Sequence, residues 1–267
     1  MNGLHDIYSG NDAGLLVDRM TGLANGLFND ELSKTKVVKA GLKMYLDASV
    51  PSSINGIYWG DISGNGNYGR FVNGPTWHDS YRYVGGGALN NLDQAGYGGM
   101  VRTDGVNDYI LVRDSISLRN FRGLTLSTWS RGYSDNPRWF GKWTGGNNYI
   151  LRNSAQFFLT TSTLAGGTFA GLLSNARSYN WHNIVATWDG ATMRMYMDAK
   201  VSVTTYAQTG FISNAGSNLI IGAEHDLSSP TQMLFGSLMI YDRALSQQEI
   251  NTNYIAQKTR FGIIYNQ

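Results

Sequence analysis

The run Thr192-Met-Arg-Met-Tyr-Met-Asp198 constrains this chain most: Met193, Met195 and Met197 alternate with Arg194, Tyr196 and Asp198. A period of two places successive side chains on opposite faces of an extended strand, and no helix produces it. The run follows Asn183-Ile-Val-Ala-Thr-Trp188 and the pair Asp189-Gly190. Asp-Gly readily takes the positive φ angles of a tight turn, so residues 183–198 are read as a β-hairpin. Its methionine face is read as core packing rather than as an exposed binding surface. A third strand is expected over 201–206 after a turn at Asp198-Ala-Lys200, which makes an antiparallel meander.

The same texture runs through most of the chain. Leu42 to Leu46 is apolar and closed by Asp47, Leu124 to Trp129 alternates with period two, and further strands are expected over 109–112, 219–222 and 234–241. Glycine is abundant at 33 residues, and glutamate occurs only at Glu31, Glu224 and Glu249, so good surface-helix residues are scarce. An all-β sandwich or barrel is the expected class. A net charge of +2 with 15% charged residues lacks the basic footprint that nucleic acids select, so no nucleic-acid partner is expected. The absence of cysteine excludes disulfides, thiolate nucleophiles and cysteine zinc sites and suits a reducing cytosol. The first residues carry neither an early Lys or Arg nor an apolar run of seven, so no secretory signal is read there. No apolar run approaches the length of about 18 that membrane insertion requires.

Two ends depart from the strand pattern. Residues 1–40 are read as an N-terminal arm, helical from Asn11 to about Leu32, with Asn11 or Asp12 as N-cap and a stripe of Leu16, Met20, Leu23 and Leu27. Gly22 and Gly26 each cost about 1 kcal/mol in a helix interior, so the segment needs a surface to dock on. That surface is either its own domain or a sister subunit or partner, and the stripe is carried forward as the partner-binding candidate. Lys34, Lys36, Lys39 and Lys43 are read as a solvated connector. Residues 41–267 form the sandwich domain. Near its end Ser246 and Glu249 fit a capping box and Leu245 and Ile250 a hydrophobic staple, which predicts a helix over 247–257. A stripe of Ile250, Tyr254 and Ile255 would lay that helix along the sandwich edge, with a terminal strand or docked tail from Phe261 to Tyr265.

Four stretches carry a family resemblance: Asp61-Ile-Ser-Gly-Asn-Gly-Asn67 with Gly69, Asp104-Gly-Val-Asn-Asp-Tyr109, Trp181-His-Asn-Ile-Val-Ala-Thr-Trp-Asp-Gly190, and Gly236-Ser-Leu-Met-Ile-Tyr-Asp-Arg-Ala-Leu-Ser246. In this order they resemble the laminin G-like, or concanavalin A-like lectin/glucanase, domains over roughly residues 41 to 256. The resemblance implies an antiparallel jelly-roll β-sandwich with loops clustered at its rims. The ending Asn253-Tyr254 followed by Lys258-Thr-Arg-Phe-Gly262 resembles endings of such domains in tailed-phage virion proteins. The fold itself carries lectins, adhesion modules, glucanases and inert structural domains, so function must come from sites.

No catalytic set is expected. Jelly-roll glucanases place their acids as Glu-x-Asp-x-x-Glu, and here Glu224-His225-Asp226 is followed by Ser229 where the last acid would stand, so the segment is read as a rim loop. No G-x-S-x-G or H-E-x-x-H motif accompanies His5, His78, His182 or His225. Calcium is the cofactor the resemblance implies, and Asp61, Asn65 and Asn67 superficially match a loop of oxygen ligands. An Asx-turn at Asp61-Ile-Ser63, with Gly64, Gly66 and Gly69 as turn residues, explains the segment without metal, so no metal ligand is assigned and no cofactor is expected. Asp104-Gly105 and Asn107-Asp108 read equally as turn chemistry. Tyr58, Trp59, Trp77, Tyr97, Trp139, Trp143 and Tyr149 are candidate sugar platforms, most of them read as core, and no glycan-binding residue is assigned.

The leading expectation is a non-enzymatic virion structural protein, a capsid decoration or cement subunit assembled in host cytoplasm. Its partners would be virion shell or tail proteins and further copies of itself. The alternatives are a tail- or fibre-associated host-recognition module binding surface glycans, and a glucanase-type enzyme, which the missing acid pair disfavours.

Overall fold

A computed structural model describes residues 36–78, 99–132, 138–143, 149–152, 156–162, 164–170 (backbone), 180–201, 206–212 and 216–261. Two antiparallel sheets pack face to face. Sheet one runs in the order Lys200–Val201, Thr192–Met197, His182–Trp188, Leu124–Gly132, Gln232–Tyr241, Met100–Asp104, Thr76–His78, with Leu42–Asp47 also on Gln232–Tyr241 and Tyr206–Ala207 on Thr192–Met197. Sheet two runs Leu164–Ala170, Gln156–Thr161, Tyr149–Arg152, Arg138–Lys142, Leu219–Ile221, Tyr109–Val112, Gly69–Val72, Tyr58–Trp59, Ile54–Asn55. Runs of consecutive strands share a sheet, as His182–Trp188, Thr192–Met197 and Lys200–Val201 do, but the chain also changes sheet repeatedly, with Leu124–Gly132 of sheet one standing between Tyr109–Val112 and Arg138–Lys142 of sheet two, so the two layers are stitched together.

The expected hairpin forms with Ile184 opposite Met197 and Trp188 opposite Met193. Met193 and Met195 are fully buried between the sheets and Met197 packs against them, so the methionine stripe is core. The turn differs from the expectation in one respect: only Gly190 takes positive φ, at 91°. The Asp189 carboxylate instead accepts the Ala191 and Thr192 backbone N–H groups at 3.0 and 2.7 Å, which closes the loop without a second left-handed residue. At the next turn Asp198 and Ala199 are both left-handed (φ 52° and 63°), and Met197 pairs with Lys200 directly across it. Such a two-residue turn has the twist a hairpin needs. The third strand is described as Lys200–Val201 and Tyr206–Ala207; residues 202–205 lie outside the described set.

The inter-sheet core draws Leu46, Leu126, Ile184 and Leu238 from sheet one and Trp59, Ile110, Trp139 and Phe157 from sheet two. The outer face of sheet one is also covered, since Leu124–Gly132 is buried on both sides. Two groups cover it. Val37, Leu245 and Ile250 pack on Tyr45, Val185, Tyr196, Met239 and Tyr241, while Phe261 and Trp181 pack with Trp129 and Leu234.

The helix spans Gln247–Gln257 with the complete Ser246/Glu249 capping box, and Leu245 and Ile250 are both buried as the staple requires. It lies across the outer face of sheet one, not along the edge as its supposed stripe suggested. Ile255 is 62% exposed, and the buried positions are Ile250, Asn253 and Gln257. Hydrogen bonds make the polar burial tolerable: Asn253 Nδ2 donates to Tyr241 Oη at 3.0 Å, and Gln257 Oε1 accepts from Ser237 Oγ at 2.6 Å. A single-turn extension, Lys258–Phe261, then stacks Phe261 on Trp129 with ring centroids 4.5 Å apart.

Residues 36–40 are part of this face. Val37 is buried, Val38 N donates to Asn253 Oδ1 at 2.8 Å and Tyr241 Oη donates to Val38 O at 3.0 Å. Arg243 Nε adds a bond to Ala40 O at 2.9 Å. Among the described residues, packing on this face therefore includes residues 37–40 as well as the strands.

Candidate functional site

The Asp61 segment is held by its own backbone. Asp61 Oδ1 accepts from Tyr45 N and Ser63 N at 2.8 and 3.0 Å and Oδ2 from Asn67 N at 2.8 Å, so the Asx-turn expected from sequence is present. Burial pushes its carboxyl up, and these N–H bonds offset only part of that. Asn65 Nδ2 donates to Leu42 O, and Asn67 bonds Lys43 O, Ser115 and Ser117. Asp61 and Asn67 are thus committed inward, while Asn65 is exposed and is anchored through its amide nitrogen. Asp104 Oδ1 similarly accepts from Val106, Asn107 and Asp108 N. Among the described residues no group of three or more His, Cys, Asp or Glu side chains could hold a metal ion.

The loop between Leu219–Ile221 and Gln232–Tyr241 is a braced rim element. Thr231 N donates to Gly222 O, Glu224 N to Ser228 O and Leu227 N to Glu224 O, and Asp226 Oδ1 takes the Ser228 N and Oγ donors. Leu227 and Ser229 are left-handed, with φ 65° and 52°, at a cost of about 1–2 kcal/mol each for residues with a Cβ. That backbone turns Leu227 outward, 44% exposed. Such outliers mark functional loops often enough to direct attention here.

Beside this loop lies an aromatic and cationic ledge. Trp143, half-buried, stacks with Phe158 at 5.1 Å and with His225 at 5.2 Å. The Arg152 guanidinium lies 5.8 Å from the Trp143 ring and 5.4 Å from that of Phe158. Glu224 binds Arg138 at 2.5 Å and Arg152 at 3.4 Å, so the acid once weighed as part of a glucanase pattern ties two strands of sheet two to the loop. The enclosed space there is about 10 Å³, room for one water, so the ledge is a surface rather than a pocket. Of the candidate platforms, Trp59, Trp139 and Tyr149 are core, Trp77 donates to Ala48 O at 2.9 Å, Tyr58 packs edge-on to Tyr68 at 5.5 Å, and Trp143 alone joins the ledge. Tyr97 lies outside the described residues, as do Leu16, Met20, Leu23 and Leu27. Sequence reading missed Arg138 and Arg152, since strand arginines carry no local signature of a stacked partner.

A second concavity opens between the helix Gln247–Gln257, residues 36–37 and the end of strand Leu42–Asp47, with a volume of about 660 Å³. Its floor contains a buried ionic group: Asp47 receives Tyr45 Oη at 2.6 Å and Arg260 Nη1 at 2.7 Å. Burial alone would push the Asp47 carboxyl up, but the Arg260 charge and the bonds from Tyr45 and Ser49 outweigh it and hold it below the usual carboxylate range.

Two face-packed antiparallel sheets with a capped helix on one outer face define a concanavalin A-like jelly-roll sandwich. The chain belongs to the concanavalin A-like lectin/glucanases superfamily, whose laminin G-type profile matches residues 104–251. Similar solved structures share the fold. The binding domain of Paraclostridial Mosquitocidal Protein 1 is 15% identical, with a TM-score of 0.58, covering 81% of this chain and 52% of that one. The botulinum neurotoxin serotype D ligand binding domain in complex with N-acetylneuraminic acid is 12% identical, with a TM-score of 0.57, covering 82% of this chain and 52% of that one. Domain 4 of AbnA, a GH43 extracellular arabinanase from Geobacillus stearothermophilus, in complex with arabinotriose, is 13% identical, with a TM-score of 0.57, covering 80% of this chain and 98% of that one. The chain thus spans about half the length of the two toxin domains. No curated protein matches the sequence.

Proposed function

We propose that this protein is a non-enzymatic virion structural protein, a capsid decoration subunit that is assembled in host cytoplasm and attaches through residues 1–40. It turns a lectin-like sandwich outward. The observation that carries the reading is the engagement of the acids. Asp47, Asp61, Asp114, Glu224 and Glu249 each commit their oxygens to groups of the sandwich itself, which suits a displayed scaffold and not a hydrolase needing two carboxylates across a cleft. The ending Lys258-Thr-Arg-Phe-Gly262 supports the virion setting, as a resemblance to tailed-phage proteins. Partners would be shell proteins and sister copies. The test is the copy number of this polypeptide in purified particles, by quantitative mass spectrometry against the major shell protein. A simple ratio to the shell protein is expected, and absence from particles would overturn the reading.

A second reading, a tail- or fibre-associated module that recognises host surface glycan, is favoured by the ledge of Trp143, His225 and Arg152. An apolar ring beside cationic and hydroxyl-bonding groups suits the two-sided chemistry of a sugar. Two of the similar structures are complexes with N-acetylneuraminic acid and arabinotriose. A few copies per particle, with glycan-array binding abolished by Trp143→Ala, would select this reading.

A further inference from the structure

The helix Gln247–Gln257 buries one side and leaves another uncovered. Ile250, Asn253 and Gln257 are buried, whereas Thr252, Ile255, Ala256 and, in the extension, Thr259 line the cleft beside it. These four follow the i, i+3, i+4, i+7 spacing by which a helix presents one side to another element. Ile255, in the middle of that side, is 62% exposed, and Thr252 and Thr259 are exposed with it. Val37 and Val50 add apolar walls to a space of about 660 Å³. Among the described residues this side has no cover.

What covers it is indicated by where the chain leaves the described residues. Lys36, the first of them, stands exposed in the lining of this cleft, so residues 1–35 join the sandwich at its mouth. The stretch from Leu32 to Lys36 can extend about 13 Å, enough to turn the chain back across the helix. Leu16, Met20, Leu23 and Leu27 have the spacing of a seam between two packed helices. Charge agrees. Residues 1–31 carry Asp6, Asp12, Asp18, Asp30 and Glu31 against Arg19, while the cleft presents the exposed Lys36, and its Asp47 is already paired with Arg260.

We propose that residues 16–27 of the same chain dock as a helix along Thr252, Ile255, Ala256 and Thr259, their apolar stripe closing over Ile255 and Val50. Gly22 and Gly26 keep the contact weak. It is released on heating before the sandwich unfolds, so the melting of the sandwich does not register it. The docked arm acts as a latch, because any partner that takes up the stripe must first lift it from the helix. The inference is independent of the virion reading, since it concerns the isolated chain.

The test is hydrogen–deuterium exchange of the full chain, read by mass spectrometry over a dilution series. Amides of residues 16–27 are expected to exchange about tenfold more slowly than in Leu23→Asp, at every dilution. Ile255→Asp and Thr252→Glu, both on the exposed helix side, should release the same amides. Asn25→Asp, which adds the same charge off the stripe, should not. Leu23 lies outside the sandwich, and either helix variant suffices if the other fails to fold. Fast exchange of residues 16–27 in the unaltered chain, or slowed exchange that persists in the folded helix variants, would overturn the proposal. So would slowing that fades on dilution, which would seat a second copy's arm in the cleft. Release of residues 262–267 in place of 16–27 by the helix variants would seat the C-terminal tail there and overturn it equally.

Discussion

Lys142, wholly buried, meets Asp114 at 2.5 Å and joins strand Arg138–Lys142 of sheet two to the segment that follows Tyr109–Val112. Leu118 O accepts from the same ammonium at 3.3 Å, and Arg119 shares Asp114. Asp114→Ala leaves an enclosed cation without its counter-ion and should cost about 3–5 kcal/mol, whereas Lys142→Met, which removes the buried charge itself, should cost less. Urea unfolding of the two variants checks this, and an equal loss would contradict the buried-charge explanation.

Acid should weaken the fold through specific carboxylates. For Asp114, burial pushes upward but bonds from Arg119, Lys142 and Gly216 N prevail and bring it from 3.8 to about 2. Glu249, bonded by Arg243 and capping Ser246 N, falls from 4.5 to about 2. A carboxyl depressed on folding contributes stability that is complete above its unfolded value and is lost as pH falls through the folded one. The melting temperature is therefore expected to fall between about pH 5 and pH 2, and less steeply in Asp114→Asn. Asp61, raised by burial, acts in the opposite sense. Calorimetry across that range decides it.

Gly236 sits at the bulge where Gln232–Tyr241 shifts register on Leu124–Gly132, and a Cβ there would collide with the Phe261 ring. Gly236→Ala should push Phe261 off Trp129 and Trp181, cost about 1–3 kcal/mol and redden the tryptophan emission.

Ser246→Ala removes the acceptor for Glu249 N and frees one half of the capping box. A loss of about 1 kcal/mol is expected in chemical unfolding. The Arg243–Glu249 pair, bidentate at 2.9 and 2.6 Å, should keep the helix in place.

Truncations separate the arm from its root. Removal of residues 1–35 should leave the melting temperature of the sandwich unchanged and abolish particle attachment. Removal of residues 1–40 should also strip Val37 from its buried site and the Ala40 acceptor from Arg243, costing roughly 1.5–3 kcal/mol for the valine alone. Identical behaviour of the two would mean that residues 36–40 contribute nothing.

Elements written in local chemistry were legible in the sequence. The period of two at Met193–Met197, the Asx-turn at Asp61 and the capping box at Ser246 each depend on residues a few positions apart. The helix bounds 247–257 follow from that box. What was not legible depended on distant partners. Ile255 looks like a core residue by type, yet Asn253 and Gln257 are buried instead, because Tyr241 and Ser237 on another element happen to supply their bonds. The ledge was half visible: Trp143 stood among the candidate platforms, while Arg152 and Phe158 are brought to it by pairing of Tyr149–Arg152 with its neighbours and His225 by pairing of Leu219–Ile221 with Arg138–Lys142.

The bonds that Val38 and Ala40 make to Asn253, Tyr241 and Arg243 also set how the molecule bears force. Tension arriving at residue 36 reaches three clamps, spread over the helix, the long strand and the turn between them, before it reaches the first strand. A pull at residue 36 would thus load the helix, the long strand and the turn together before Leu42–Asp47 could be peeled from its neighbour.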